Sequence, residues 1–164
     1  LGDERWVPPT DDASNERMVR ETMLKDRAAA AELLPMYADD ASPDEQAAAL
    51  DSAIRSLPFP FSAVLLGMGA DGHFASLFPD AEGLELGLDT ESMTLCMPIR
   101  TAASPHPRLS LTMAALSRAD EIILLIFGDD KRETLEAAME TDSDLPAARL
   151  LRQKRAPIIV HWAP

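Results

Sequence analysis

The sequence predicts an α/β fold, a three-layer sandwich with a mainly parallel sheet between helices. Short apolar runs alternate with segments whose apolar residues recur at helical spacing, which is typical of strands connected by helices. Two of these runs, residues 63–66 and 121–127, lead into loops that contain glycine. Ligands bind at the carboxyl ends of parallel strands, so a site is expected at these loops. The length of 164 residues predicts one domain over residues 1–164.

Capping residues and prolines set the expected bounds of the elements. Ser14 or Asn15 is predicted to begin a helix, and Ser42 and Glu45 have the spacing of a capping box. The predicted helices are 15–25, 43–57, 113–117 and one that begins near 130, and the predicted strands are 63–66, 94–99, 109–113, 121–127 and 157–162. Residues 27–37 favour either a helix or a short strand. The acidic segment 80–93 is expected to be a loop over the site.

Composition and charge exclude several classes of function. The net charge of −13 disfavours binding to nucleic acid or to an anionic membrane surface, and an anionic substrate would need well-placed local cations. No apolar run approaches the ~20 residues of a membrane span, and no signal-peptide pattern opens the chain. Cys96 is the only cysteine, so no disulfide forms within the chain, and a reducing, cytoplasmic location is expected.

The loop after the strand at 63–66 carries the strongest chemical signal. Glycines lie at positions 67, 69 and 72, and Asp71 and His73 lie two residues apart within the same bend. A carboxylate beside an imidazole fixes its orientation and favours its protonated form, which suits a general base. The glycine spacing also matches the dinucleotide fingerprint, but Pro79 stops the helix that this fingerprint requires. A structural turn with an incidental histidine is the remaining alternative.

Basic residues near strand ends are candidates for binding an anion. Residues 3–5, 67–73 and 128–131 are each predicted to follow a strand, so these three segments should converge on one edge of the sheet. Lys131 would lie at a helix N-terminus, which already attracts anions. Taken alone, Arg5 could equally form a surface ion pair, and Lys131 could be an ordinary surface lysine. The three histidines are too far apart in sequence to indicate a metal site.

Fourteen consecutive residues, 66–79, resemble the signature of a family that comprises 6-phosphogluconolactonases and glucosamine-6-phosphate isomerases (deaminases). Further motifs are similar: residues 3–5 followed by Ser14 and Asn15, the Pro107-Arg108 pair, and the Gly-x-x-Lys of residues 128–131. The deaminase branch usually carries Asn-Glu-Pro after the histidine. Residues 76–79 lack that glutamate, so the chain resembles the lactonase branch.

The resemblance implies a Rossmann-like sheet and hydrolysis of a sugar-phosphate lactone, 6-phospho-D-glucono-1,5-lactone, with no cofactor. It implies that His73 activates water and that Asp71 orients the imidazole. The other implied residues bind the substrate. The N–H groups of Gly69 and Gly72, with Arg5, would stabilise the oxyanion. Arg108 and Lys131 would hold the phosphate. The expected assembly is a monomer or a weak homodimer.

Two other functions stay open from the sequence, an amino-sugar phosphate isomerase or deaminase and a sugar-phosphate-binding module without turnover. A Ser-His-Asp hydrolase is a poorer account, because no Gly-x-Ser-x-Gly elbow surrounds Ser76. The resemblance covers about the C-terminal two-thirds of the family's usual domain, whose first strand and phosphate loop would precede Leu1. We therefore expect exposed apolar surface near the N-terminus, and weak or absent activity unless that preceding segment is present.

Overall fold

The computed structural model describes residues 1–164, which form six strands and six α-helices. The strands are β1 (Asp3–Arg5), β2 (Val64–Leu66), β3 (Cys96–Ile99), β4 (Arg108–Leu111), β5 (Ile122–Phe127) and β6 (Ile158–Ala163). The helices are α1 (Asn15–Thr22), α2 (Pro43–Arg55), α3 (Leu84–Leu88), α4 (Met113–Leu116), α5 (Asp129–Met139) and α6 (Pro146–Arg152). None of the helices has the length and apolar character needed to cross a membrane.

The strands form two sheets of three. One is parallel, in the order β2-β5-β6, and the other is antiparallel, in the order β1-β4-β3. The α/β class with a parallel sheet is confirmed. The structure differs from a single mainly parallel sheet because β3 and β4 are joined by a short connection, which permits antiparallel pairing without a crossover helix. Residues 3–5, expected to follow a strand, are themselves the strand β1.

The predicted helix starts at Ser14 and Ser42 are confirmed. The Ser14 hydroxyl accepts a hydrogen bond from Arg17 N at 3.1 Å. Ser42 and Glu45 form the reciprocal capping box, and the hydrogen bonds from Ser42 hold the pKa of the Glu45 carboxyl below its usual value. Within the segment 27–37, whose assignment the sequence left open, there is no strand. A 3-10 helix spans Asp26–Ala30 instead.

The expectation that residues 80–93 form a loop over the site is wrong. The segment contains α3, which packs against α4 and α6, and none of its residues lines the polar pocket described below. Gly87 explains the close packing, because a Cβ at this position would lie 2.7 Å from Leu77 Cδ2. A glycine that weakens helix propensity in the sequence thus permits a short helix to pack on the core.

One cluster of 31 buried apolar residues connects the two sheets and includes residues of the helices α2 to α6. Cys96 belongs to it, and burial, followed by the charge of Asp51, raises the pKa of the thiol to about 12. The thiol therefore stays protonated near neutral pH.

Apolar surface is exposed, as expected, close to the N-terminus. An apolar cavity of about 260 Å³ is lined by Leu1 and by residues of α2 and β2. Leu65, in the middle of β2, is 60% exposed, and Phe127 and Ile159 of the same parallel sheet are also exposed. One face of this sheet is therefore partly uncovered, although parallel sheets are usually buried on both faces.

Candidate active site

A polar pocket of about 370 Å³ opens at the carboxyl ends of β2 and β5. Both loops that the sequence predicts at this edge contribute to it. β1 reaches the pocket from the neighbouring sheet, through Asp3. The lining residues are Gly2, Asp3, Asn15, Leu65, Leu66, Gly67, Met68, Gly69, His73, Ala75, Arg108 and Lys131.

His73 and Asp71 form a hydrogen-bonded pair at the pocket wall. His73 Nδ1 lies 2.5 Å from Asp71 Oδ1, and the backbone N–H of His73 donates to the same oxygen at 3.2 Å. In the tautomer that donates from Nδ1 to the carboxylate, the Nε2 lone pair is left as the basic position. The pair therefore has the arrangement of a general base with an orienting carboxylate.

Gly69 and Gly72 shape the loop rather than presenting free N–H groups. Gly69 N donates to His73 O at 2.9 Å and Gly72 N donates to Gly69 O at 3.0 Å. Both N–H groups therefore already have backbone acceptors, and a contact between either of them and the oxyanion stays a prediction. Gly72 has φ +76° and does not line the pocket.

The absence of a side chain at Gly69 allows the Asp71–His73 pair to form. A Cβ at this position would lie 2.3 Å from His73 Nδ1 and 2.6 Å from Asp71 Oδ1. Real Cβ atoms are not found this close to side-chain atoms, so any other residue here would displace the imidazole or the carboxylate. The contribution of Gly69 is thus steric.

Arg108, the first residue of β4, reaches the same pocket inside a nearly buried network. Its Nε donates to Ser76 Oγ at 2.6 Å, and Nη2 donates to Asp3 Oδ2 at 3.0 Å. Ser76 Oγ also donates to Asp3 Oδ2 at 2.6 Å, and Arg108 Nη1 lies 3.5 Å from Ser104 Oγ. With its side chain only 10% exposed, the guanidinium is held in one orientation.

Lys131 brings a second positive charge to the pocket. It lies in the first turn of α5, where the helix dipole also favours an anion. No carboxylate of the protein forms a salt bridge with its ammonium group, in contrast to Arg108. Thr134 Oγ1 of the same helix donates to Ala70 O at 3.0 Å, which ties α5 to the loop that carries His73.

Arg5 does not line the pocket. Its Nη1 donates to Ala13 O at 2.9 Å and to Asn15 Oδ1 at 3.0 Å. Arg5 therefore supports the segment before α1 and holds the Asn15 amide, and a direct contact between Arg5 and a substrate stays a prediction.

Three polar residues of the site were not identified from the sequence. Asn15 lines the pocket and donates from Nδ2 to Asp3 O at 3.0 Å, while Asp3 and Ser76 hold Arg108. The sequence places Asn15 at a helix start and in a family motif but indicates no contact with a substrate. The sequence separation between Asp3 and Arg108 hides their contact. No group of three or more His, Cys, Asp or Glu side chains is arranged to hold a metal ion.

The fold and the pocket define an α/β protein with an Asp–His pair and two basic side chains at one sheet edge. The family model of glucosamine-6-phosphate isomerases/6-phosphogluconolactonase matches residues 1–160. The chain belongs to this family, as its sequence motifs predicted.

The similar proteins include named 6-phosphogluconolactonases. The one from Caulobacter vibrioides is 45% identical over an alignment of 165 positions that covers 99% of this chain and 70% of that protein. The one from Pseudomonas aeruginosa is 40% identical over an alignment of 166 positions that covers 100% of this chain and 68% of that protein. The crystal structure of a 6-phosphogluconolactonase from Shewanella baltica has a TM-score of 0.93 at 35% identity and matches 100% of this chain and 70% of its own. A monomeric glucosamine-6-phosphate deaminase, at 16% identity and a TM-score of 0.67, shares the fold.

Proposed function

We propose that this protein hydrolyses 6-phospho-D-glucono-1,5-lactone to 6-phosphogluconate, a reaction of the pentose phosphate pathway. The observation that carries the proposal is the Asp71–His73 pair, which shares one pocket with Arg108 and Lys131. The family and the lactonases at 40–45% identity support the same activity.

The chemistry requires a base and no covalent nucleophile, because a lactone is an activated ester. His73 Nε2 takes a proton from water as the water oxygen attacks the lactone carbonyl carbon. Asp71 stabilises the imidazolium that forms. The tetrahedral intermediate then collapses, the bond between the carbonyl carbon and the ring oxygen breaks, and Nε2–H returns the proton to that oxygen. The products are a carboxylic acid and a free hydroxyl group, and the imidazole is again neutral.

The phosphate of the substrate binds to Lys131 and Arg108 in this proposal. Lys131 supplies a positive charge that forms no salt bridge, whereas Arg108 is paired with Asp3. Arg108 therefore contributes a fixed direction for hydrogen bonding more than net charge. An acidic chain with a net charge of −13 needs such local cations to hold a phosphate dianion.

We further infer that the protein acts in the cytoplasm as a monomer or weak homodimer. A single cysteine, buried and protonated, suits a reducing compartment. We also propose that no cofactor takes part, because general base catalysis by His73 is sufficient for opening a lactone.

The decisive experiment compares freshly prepared 6-phosphogluconolactone with glucosamine 6-phosphate as substrates. We expect hydrolysis of the lactone and no release of ammonia from the amino sugar. In the His73→Ala variant, kcat should fall by ~10²–10⁴-fold with little change in KM, because the base acts mainly in the transition state. His106→Ala is the matched control, since His106 does not line the pocket.

Three outcomes would contradict the proposal. Deamination by the wild type would assign it to the isomerase branch. Binding of 6-phosphogluconate without turnover of either substrate would make it a binding module. A loss in His73→Ala that appears only in KM would move His73 from chemistry to binding.

A further inference from the structure

The Phe78 ring contacts two functional side chains that come from different parts of the chain. The His73 imidazole stacks on it, with ring centroids 4.0 Å apart and planes at 29°. The Arg108 guanidinium carbon lies 5.3 Å from the centroid of the same ring. Phe78 is buried, so its ring is held by the core.

We infer that Phe78 is a positioning residue. Its ring contacts both the imidazole of His73 and the guanidinium of Arg108 and so fixes their positions relative to each other. This inference rests on the proposed function, in which the two side chains act on opposite ends of one substrate. A ring within about 6 Å of a cation is attracted to it through its negative face. That attraction acts on Arg108 permanently and on His73 when it has accepted a proton.

The local chain conformation places the ring. Ala75 has φ +47°, in the left-handed region, and lies in a turn between Phe74 and Leu77. Leu77 N donates a hydrogen bond to Phe74 O at 3.0 Å across this turn. This turn lets Ser76 contact Arg108 while Phe78 returns to contact His73. Phe78 and Ser76 therefore hold Arg108 from the same short segment, one through the ring and the other through a hydrogen bond.

The charged groups around the imidazole belong to four different segments. Asp71 lies on its own loop, and Asp3 of β1, Arg108 of β4 and Lys131 of α5 share its pocket. Replacing Phe78 changes none of these charges. A change in the pH dependence of the reaction in such a variant would therefore report the loss of the ring itself or of the alignment that it provides.

The test is Phe78→Leu, with Phe74→Leu as the matched control. Phe74 is also buried in this turn, but its ring stacks on neither side chain. We expect Phe78→Leu to lower kcat roughly tenfold, to raise KM, and to move the acid limb of the pH–rate profile toward lower pH, because the imidazolium loses its contact with the ring. Phe74→Leu should lower the melting temperature about as much as Phe78→Leu does, because both changes shorten a buried side chain. It should leave KM and the acid limb of the pH–rate profile unchanged.

A second measurement applies if the variant is too slow for its pH–rate profile to be measured. Binding of 6-phosphogluconate is measured for Phe78→Leu, Arg108→Lys and the double variant. We expect the two losses in affinity to be less than multiplicative, because each change removes the same alignment of the guanidinium. Multiplicative losses, or an acid limb that stays in place, would overturn the inference. Failure of the wild type to hydrolyse the lactone would overturn the proposed function instead, and the binding cycle would still report on Phe78 and Arg108.

Discussion

At the scale of single residues, Gly69 is the position on which the Asp71–His73 pair depends. We expect Gly69→Ala to lower kcat on the order of 100-fold, because a Cβ 2.3 Å from His73 Nδ1 forces the imidazole out of line. The fold should survive, since the displaced atoms belong to side chains at the pocket rather than to the core. The measurement is steady-state kinetics together with a thermal melt.

Gly67→Ala is the matched control for this prediction. It lies in the same loop, but an added Cβ would meet only Leu125 O, at 3.9 Å, which is an ordinary contact. A much smaller loss of kcat is expected. Equal losses in the two variants would mean that the loop needs glycine for its backbone, and that the steric account of Gly69 is wrong.

How far the sequence predicts the site depends on distance along the chain. Asp71 and His73 are two residues apart in a glycine bend, so their contact could be predicted from local geometry. Asp3 and Arg108 are 105 residues apart, and Ser76 and Arg108 are 32 apart. Only the pairing of β1 with β4 brings Asp3 to Arg108, and no local pattern encodes that pairing.

At the scale of elements, the N-terminus of α1 is held by the buried carboxylate of Glu4, which belongs to β1. Glu4 is 1% exposed and accepts four hydrogen bonds. Two come from Asn15 N and Glu16 N at 2.8 and 2.7 Å, one from Ser14 Oγ at 3.1 Å and one from Arg5 N at 2.8 Å. The sequence indicated the Ser14 cap because that signal is local. It could not indicate Glu4, which reaches the helix from β1.

We expect Glu4→Gln to destabilise the protein by ~2 kcal/mol, because the amide group of Gln would direct a donor at backbone N–H groups. For a chain of this size, that corresponds to a melting temperature lower by about 4–8 °C. KM should also rise, because Glu4 holds the segment that places Asn15 in the pocket wall. Glu21→Gln is the control, as it makes the same chemical change at an exposed ion pair on α1. Equal melting temperatures in the two variants would contradict the capping role.

At the scale of the whole molecule, the alternation of strands and helices predicted the α/β class and the edge of the parallel sheet where the pocket lies. It did not predict the second, antiparallel sheet, because the partner of a short strand such as β1 is chosen by tertiary contacts. The family resemblance supplied roles for Arg108 and Lys131 that charge and spacing alone left open. The structure adds that both side chains line one pocket, and that only Arg108 has a carboxylate partner there.

The uncovered face of the parallel sheet includes the exposed ring of Phe127. Ile126 and Phe127 are neighbours on β5 and point to opposite faces, so that Ile126 is 1% exposed and Phe127 is 59% exposed. We expect Ile126→Thr to cost roughly 2 kcal/mol or more, since it removes buried apolar volume and introduces a hydroxyl group into the core. Phe127→Thr should change the free energy of unfolding by less than about 0.5 kcal/mol and reduce the binding of an apolar dye. Chemical denaturation at several protein concentrations measures both values. A cost for Phe127→Thr as large as that for Ile126→Thr, and one that grows with concentration, would mean that a second copy of the chain covers this face in solution.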